Sequence, residues 1–415
     1  LGDVYKRQTL DRIYTEDKTA LQKDRYSKAA AEFEKLFKTA PERFFSAPGR
    51  TEVGGNHTDH NHGRVLAAGV SLDVIAAVVP SCDGIIEVKS EGFPADTVDI
   101  SDLKVHDKEK NSSASLIRGV AAGFARNGHK IGGFKAYTTS NVLKGSGLSS
   151  SAAFEVLIGT ILSGLYNEHS VSAVEIAQIS QYAENVFFGK PSGLMDQMAS
   201  SVGGFITIDF ADPSKPVIDS IAFDFAKSGH YLCIVDTKGN HADLTPEYAA
   251  VPSEMKKIAN HFGKDFLREL SKEDIMQNIA ALREKYGDRA VLRALHFMDD
   301  NERVIKEANS LKNGSFDDFL KLVKESGRSS YMYLQNVYAS SAPDEQGLST
   351  ALYIAEQVLD GEGAFRVHGG GFAGTIQCYI PSELLADYKK TIEAVFGENS
   401  CSVLNIRPVG GYEIK

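Results

Sequence analysis

The segment Lys144-Gly145-Ser146-Gly147-Leu148-Ser149-Ser150-Ser151-Ala152-Ala153 narrows the fold more than any other stretch of this chain. Glycines and a triple serine stand directly ahead of an apolar pattern that predicts a helix from Ser149 to about Tyr166. Glycine lets backbone N–H groups approach an anion, a helix N-terminus adds about half a positive charge, and serine hydroxyls can bond a phosphate oxygen or a magnesium ion. A serine N-cap after a flexible turn is the plainer alternative. The segment is not a Walker loop, because Lys144 precedes the glycines and no Gly-Lys-Ser/Thr follows.

A second polar cluster lies upstream, Ser46-Ala47-Pro48-Gly49-Arg50-Thr51-Glu52-Val53-Gly54-Gly55-Asn56-His57-Thr58-Asp59-His60-Asn61. It reads as a turn between apolar elements, dense enough in donors and acceptors to suit a polyhydroxylated ligand. His57, Asp59, His60 and His62 could instead hold a metal, or the whole turn could be solvated. A third cluster, Arg366-Val367-His368-Gly369-Gly370-Gly371-Phe372-Ala373-Gly374-Thr375, leads into an apolar strand, and its glycines imply close backbone approach to something.

Around these motifs, helical spacing runs from Tyr26 to about Ala40 and from Ala173 to about Phe188, and Leu385, Tyr388, Ile392 and Val395 share one helical face. Strands are expected at Asp73–Val79, Gly84–Val88, Phe134–Thr139, Phe205–Phe210 and Thr375–Ile380. The elements lack the βαβ rhythm of a doubly wound sheet, and 415 residues exceed the usual single domain, so two α+β domains fit best. Asp212-Pro213-Ser214-Lys215-Pro216 marks the cut between them.

A net charge of −10 argues against a nucleic-acid or anionic-lipid partner. The apolar run near Val65–Pro80 is interrupted by Ser71 and Asp73, short of the roughly 20 residues of a spanning helix. Four scattered cysteines (Cys82, Cys233, Cys378, Cys401) read as free thiols in a reducing compartment, hence cytoplasm. Leu1–Gln8 shows neither a signal core nor a folding pattern and is left out of the fold reading.

Taken in order, the three motifs resemble those of galactokinases and, more widely, of the GHMP kinases: a sugar-binding signature, a Gly-Leu-Ser-Ser-Ser-Ala phosphate loop and a late Gly-Gly-Gly-Phe loop. The resemblance spans Ala47 to Thr375. Further matches are Gly193-Leu194-Met195-Asp196-Gln197, His241 with Glu247-Tyr248, and Arg328-Ser329-Ser330 ahead of Tyr338-Ala339-Ser340-Ser341.

The resemblance implies a two-domain GHMP kinase fold of the α+β class with the active site in the cleft. An N-terminal mixed-sheet and helix domain would span 9–212 and a ferredoxin-like C-terminal domain 213–415, with the last strand packing back on the first domain. It implies transfer of the γ-phosphate of ATP, with Mg2+, to the C1 hydroxyl of a hexose, galactose first, by a monomer. Asp196 and Arg50 would be the catalytic pair; Asn56, His57, Asp59, Gly193 and Tyr248 would bind the sugar. Gly145, Gly147, Leu148, Ser149, Ser150, Ser151, Gly370 and Gly371 would bind ATP, and Ser151 and Glu184 the metal.

The chain departs from the family pattern at Glu52 (usually Asn), Asn56 (usually Glu), His60 (usually Tyr), Ala373 (usually Gly) and Thr375 (usually Cys). The family's Glu at the position of Asn56 touches the galactose C6 hydroxyl. An amide there lacks the charge that repels a C6 carboxylate, so another hexose or a hexuronic acid becomes admissible. A catalytically silent sugar and ATP sensor is the reading from a different class.

Overall fold

The computed structural model describes residues 10, 13–14, 19–142, 147–190, 192–239 and 244–414. The expected Gly145 and His241 lie outside the described residues.

The first sheet contains β1 (Arg43–Gly54), β2 (Arg64–Ser81), β3 (Ile85–Ser90), β4 (Ala95–Asp99), β5 (Gly133–Ser140), β6 (Phe205–Asp209) and β7 (Val217–Ile221). It is covered on one face by α2 (Ser113–Arg126), α3 (Ser150–Tyr166), α4 (Ala173–Tyr182) and α5 (Met195–Val202), and on the other by α1 (Thr19–Phe37). The apolar run near Val65–Pro80 becomes β2, an 18-residue strand that pairs with β6 over Arg64–Ala68 and with β5 over Val74–Ser81. Its sequence is almost uninterruptedly apolar because both faces are buried. Val74, Ala76 and Val78 join the core under the helices, while Ile75 and Ala77 pack on Tyr26, Ala29 and Phe33 of α1. No helix among the described residues is long and apolar enough to cross a membrane.

The second sheet is wholly antiparallel and contains β8 (His230–Asp236), β9 (Ala364–Val367), β10 (Thr375–Pro381) and β11 (Cys401–Leu404), in the spatial order β11-β8-β10-β9. With α11 (Gly347–Leu359) before β9 and α12 (Leu385–Phe396) before β11, it makes the β-α-β-β-α-β order of a ferredoxin-like unit. Between β8 and α11 the chain inserts α6 (Thr245–His261), α7 (Lys272–Gln277), α8 (Ile279–Tyr286), α9 (Asp288–Lys312) and α10 (Phe316–Ser329). The α+β class and its ferredoxin-like second sheet are as expected.

Two features differ from the sequence reading. The polar segment that begins at Ser46 is not a turn throughout, since β1 runs to Gly54 and the turn starts only at Gly55. Pro48 and Gly49 disguise the strand because they sit at a bulge, where the register against β2 slips between Pro48 and Arg50. The first sheet also runs past Asp212–Pro216, because β7 pairs with β6.

The chain end returns to this sheet as β12 (Tyr412–Ile414), which pairs with β1 at Phe44–Ser46. A buried network locks it there. Asp73, fully enclosed in β2, accepts from Arg407 Nη1 at 2.9 Å, from Ser46 Oγ at 2.5 Å, and from Arg25 and Tyr14.

Candidate active site

The bulge in β1 is where the phosphate loop and α5 both dock. A Cβ on Gly49 would lie 2.9 Å from the carbonyl of Leu148, so only glycine lets the loop approach this closely. The Arg50 N–H donates to that carbonyl at 3.0 Å, and its guanidinium donates to the carbonyl of Gly147. From the other side, Ser200 of α5 donates to the Pro48 carbonyl at 2.6 Å. These contacts bring Asp196, in the first turn of α5, to Arg50: Nε donates to Oδ1 at 2.7 Å. Burial pushes the Asp196 carboxyl up, but the Arg50 charge and hydrogen bonds from Arg50 and Ser149 outweigh it and hold the group below the usual carboxylate range.

Ser149 caps α3 in the left-handed conformation, φ 54°, with no hydrogen bond from its side chain to the helix; it turns to Asp196 instead. The three serines therefore straddle a helix N-terminus beside the Arg50–Asp196 pair. Ser151 Oγ lies 3.4 Å from Glu184 Oε1, which the π-helical turn Ala183–Phe188 carries inward. Gln197 Nε2 donates to the other Glu184 oxygen at 2.7 Å and to Glu155 Oε2 at 3.1 Å, and Lys190 Nζ stands 3.3 Å from Glu184. Two hard oxygen donors beside an anion cradle fit a magnesium ion, which takes few protein ligands besides phosphate.

On the sugar side, His57 and Asp59 share the turn after β1, and Asp59 lies against Gly193. Asp59 Oδ2 would touch a Cβ on Gly193 at 3.3 Å. His57 Nε2 donates to the Gly370 carbonyl at 2.9 Å, which leaves Nδ1 as a buried acceptor without a partner among the described residues. Burial, with His60 adding to it, lowers His57 to about 4, so the ring is neutral at neutral pH. Of the four polar residues read as a possible metal cluster, His57, Asp59 and His60 stay together, but His62 departs to stack on Phe266 with centroids 3.6 Å apart, and no metal-holding group forms among these four described residues.

One expected residue is committed elsewhere. Asn56 is fully buried and its amide is saturated: Nδ2 donates to Glu52 Oε1 (2.9 Å) and the Gly369 carbonyl (2.7 Å), and Oδ1 accepts from Asn336 Nδ2 (2.9 Å) and Ser330 Oγ (3.1 Å). No lone pair or proton of that amide is left for a sugar, so its assignment to the substrate is corrected to a structural one. Gly370 and Gly371 pack on His57, Tyr248 and Asn336, with their carbonyls accepting from those side chains. Tyr248 donates its hydroxyl to Gly371 at 2.9 Å and stands edge-on to Phe372, bracing the glycine loop.

Several residues that hold the site were not singled out in the sequence. Asp300 Oδ2 accepts from the Asn56 N–H at 2.8 Å, and His296 Nε2 donates to the Asn56 carbonyl at 2.9 Å. The signal was available: His296, Asp300, Arg303 and Glu307 repeat at helical spacing along α9, and three of the four are fully buried. Polar residues on a buried helix face have partners to meet. His368 bridges Thr51 (3.0 Å) and Thr375 (2.9 Å), and a Cβ on Gly147 would lie 3.1 Å from its Nδ1. Burial and the nearby Arg50 lower it to about 3, so a neutral ring supports the phosphate loop.

A glycine-serine loop at a helix N-terminus, facing an Arg–Asp pair in a cleft closed by a ferredoxin-like unit, defines a GHMP kinase. Residues 115–204 match the family model for the GHMP kinases N terminal domain, and residues 31–80 match that for the galactokinase galactose-binding signature. The galactokinase of Streptomyces coelicolor is 30% identical over 88% of this chain and 91% of its own length, and that of Bacillus subtilis 28% over 83% and 87%. Among solved structures, Lactococcus lactis galactokinase complexed with galactose superposes with a TM-score of 0.77 at 23% identity, over 93% of this chain and 99% of that one. Methanococcus jannaschii mevalonate kinase shares the fold at a TM-score of 0.63 and 16% identity, over 89% and 99%. The chain belongs to the galactokinase family and is a sugar kinase with ATP as co-substrate.

Proposed function

We propose that this protein phosphorylates D-galactose at the C1 hydroxyl, and the observation that carries the reading is the Arg50–Asp196 pair set against the mouth of the serine loop. Asp196 accepts the hydrogen bond of the attacking hydroxyl and aims it. Held low by Arg50, it is a weak base, which suits a loose transition state in which the proton leaves late. Arg50 offsets charge building on the transferring phosphoryl group. Backbone N–H groups from Gly147 to Ser151 cradle the phosphates at the start of α3. Asp59 accepts a sugar hydroxyl beside Gly193, and His57, its Nε2 held by the Gly370 carbonyl, braces the turn that carries it. Ser151 and Glu184 would hold Mg2+, which neutralises phosphate charge when bound. The division into domains is proposed after Ile221, where β7 leaves the first sheet. We further read the protein as a cytoplasmic monomer; its described free cysteines, three of them buried, support a reducing compartment.

Protein incubated with ATP, magnesium and D-galactose should yield galactose 1-phosphate, detected by coupled assay or phosphorus NMR; no product at millimolar sugar counts against the reading. Chelation by EDTA should abolish turnover, and added magnesium should restore it. Glu184→Gln should raise the magnesium concentration for half-maximal rate about tenfold or more, as loss of one charged ligand requires; an unchanged requirement removes Glu184 from the metal site.

A further inference from the structure

With the Asn56 amide exhausted, the free acceptor at this end of the pocket is on Glu52. Glu52 and Arg50 pair in regular register with Ala67 and Gly69, so they share one face of β1, about 6.5 Å apart along the strand. One carboxylate oxygen, Oε1, accepts from Arg366 Nη2 at 3.0 Å and from Asn56 Nδ2 at 2.9 Å. The other, Oε2, has no partner among the described residues. It is not sealed in the core, in contrast to both oxygens of Glu307; the Glu52 side chain keeps 9% of its surface. Glu52 stands on the strand face that carries Arg50, and Asp59 and Arg50 both act electrostatically on its carboxyl.

We infer that Glu52 binds the substrate, accepting a hydrogen bond from a hydroxyl at the end of the sugar remote from C1, and that the pocket therefore rejects hexoses carrying a carboxylate at C6. The inference rests on the sugar kinase reading of the cleft. Asn56 and Arg366 are positioning residues: by taking Oε1 they fix the direction of Oε2. A carboxylate oxygen this little exposed that loses its water on substrate binding needs a donor, and a neutral hydroxyl supplies one. A second carboxylate supplies repulsion instead, in a site too dry to screen it. This reverses the expectation drawn from Asn56 alone, that a hexuronic acid is admissible: the carboxylate missing at position 56 is present four residues earlier. Burial pushes Glu52 up to about 7, with Arg366 and Asn56 opposing, so the comparison belongs at pH 8, where the group is ionised.

The test measures kcat and KM at pH 8 for D-galactose, D-galacturonate, 4-deoxygalactose and 6-deoxygalactose, in the wild type and in Glu52→Gln, together with the rise in Tm that each sugar produces. Wild-type kcat/KM should be at least a hundredfold lower for galacturonate than for galactose. In the variant the galactose KM should rise about tenfold or more, the KM for ATP should stay unchanged, and the penalty for removing one of the two hydroxyls should shrink relative to wild type. Wild-type turnover of galacturonate comparable to galactose overturns the inference, as does an identical pair of deoxy-sugar penalties in both proteins. Should Glu52→Gln not fold, the wild-type comparison decides alone. Absence of ATP turnover with every sugar sinks the kinase reading instead, and the Tm series still reports which sugar the pocket accepts.

Discussion

Asp196→Asn should lower kcat by at least two orders of magnitude while the KM for sugar moves only a fewfold. The amide keeps the shape of the side chain and can still meet Arg50 through its oxygen. It loses the charge that aims the hydroxyl and finally takes its proton, contributions worth about a hundredfold to ten-thousandfold. Steady-state kinetics with galactose and ATP checks this, and wild-type turnover would remove Asp196 from the mechanism. Because Arg50 and Ser149 hold the carboxyl low, the wild-type kcat should stay flat as pH falls through the ordinary aspartate range near 4, about where an unperturbed Asp would protonate. An acid limb well above that value, absent from Asp196→Asn, contradicts the depressed pKa.

Asp73→Ala should be the most destabilising single change, by about 3–5 kcal/mol, because it leaves Arg407, also fully enclosed, as an uncompensated buried charge. Urea unfolding followed by tryptophan-independent circular dichroism reads it, since the chain contains no Trp. Burial pushes the Asp73 carboxyl up, but Arg25 and Arg407 together with Ser46 and Tyr14 hold it below its ordinary value. Its contribution is thus fully present above about pH 4 and is lost only as pH falls through the lower folded value. A variant as stable as wild type at pH 7 would show that the network does not hold the sheet.

The phosphate half of the site was legible in the sequence because its chemistry is local. Ser149 to Ser151 and Glu184 lie at or within helices whose spacing could be read, and helix starts have a residue signature, whereas Asp196, on the short helix α5, was reached only through the family motif. The sugar half was not, because its logic is tertiary. Asn56 looked like a ligand since polar residues in a presumed turn are usually exposed; its four partners come from β1, the π-helical turn after α10, the segment following it and the glycine loop. Nothing in the local sequence indicates that all four converge on one amide. Residue pairs such as Ser329 and Ser330, or Ser340 and Ser341, matched a pattern without a visible purpose. The structure gives them one: Ser329 meets His296, Ser330 meets Asn56, and Ser340 and Ser341 both meet Glu247 at the start of α6. The strand β1 escaped for a simpler reason, the Pro-Gly at its bulge, which is turn chemistry used inside a sheet.

The return of β12 to β1 has a bearing on how the chain is made. Arg43 and Glu413, joined by a hydrogen bond at 2.7 Å, are separated by 370 positions in sequence. A ribosome adding roughly 5–20 residues per second therefore leaves β1 with an open edge for tens of seconds before its neighbour exists. During that interval the exposed edge is a template for pairing with another nascent chain. The first sheet is therefore completed only after the second has been synthesised, and a polypeptide cut between the two sheets would retain that open edge permanently.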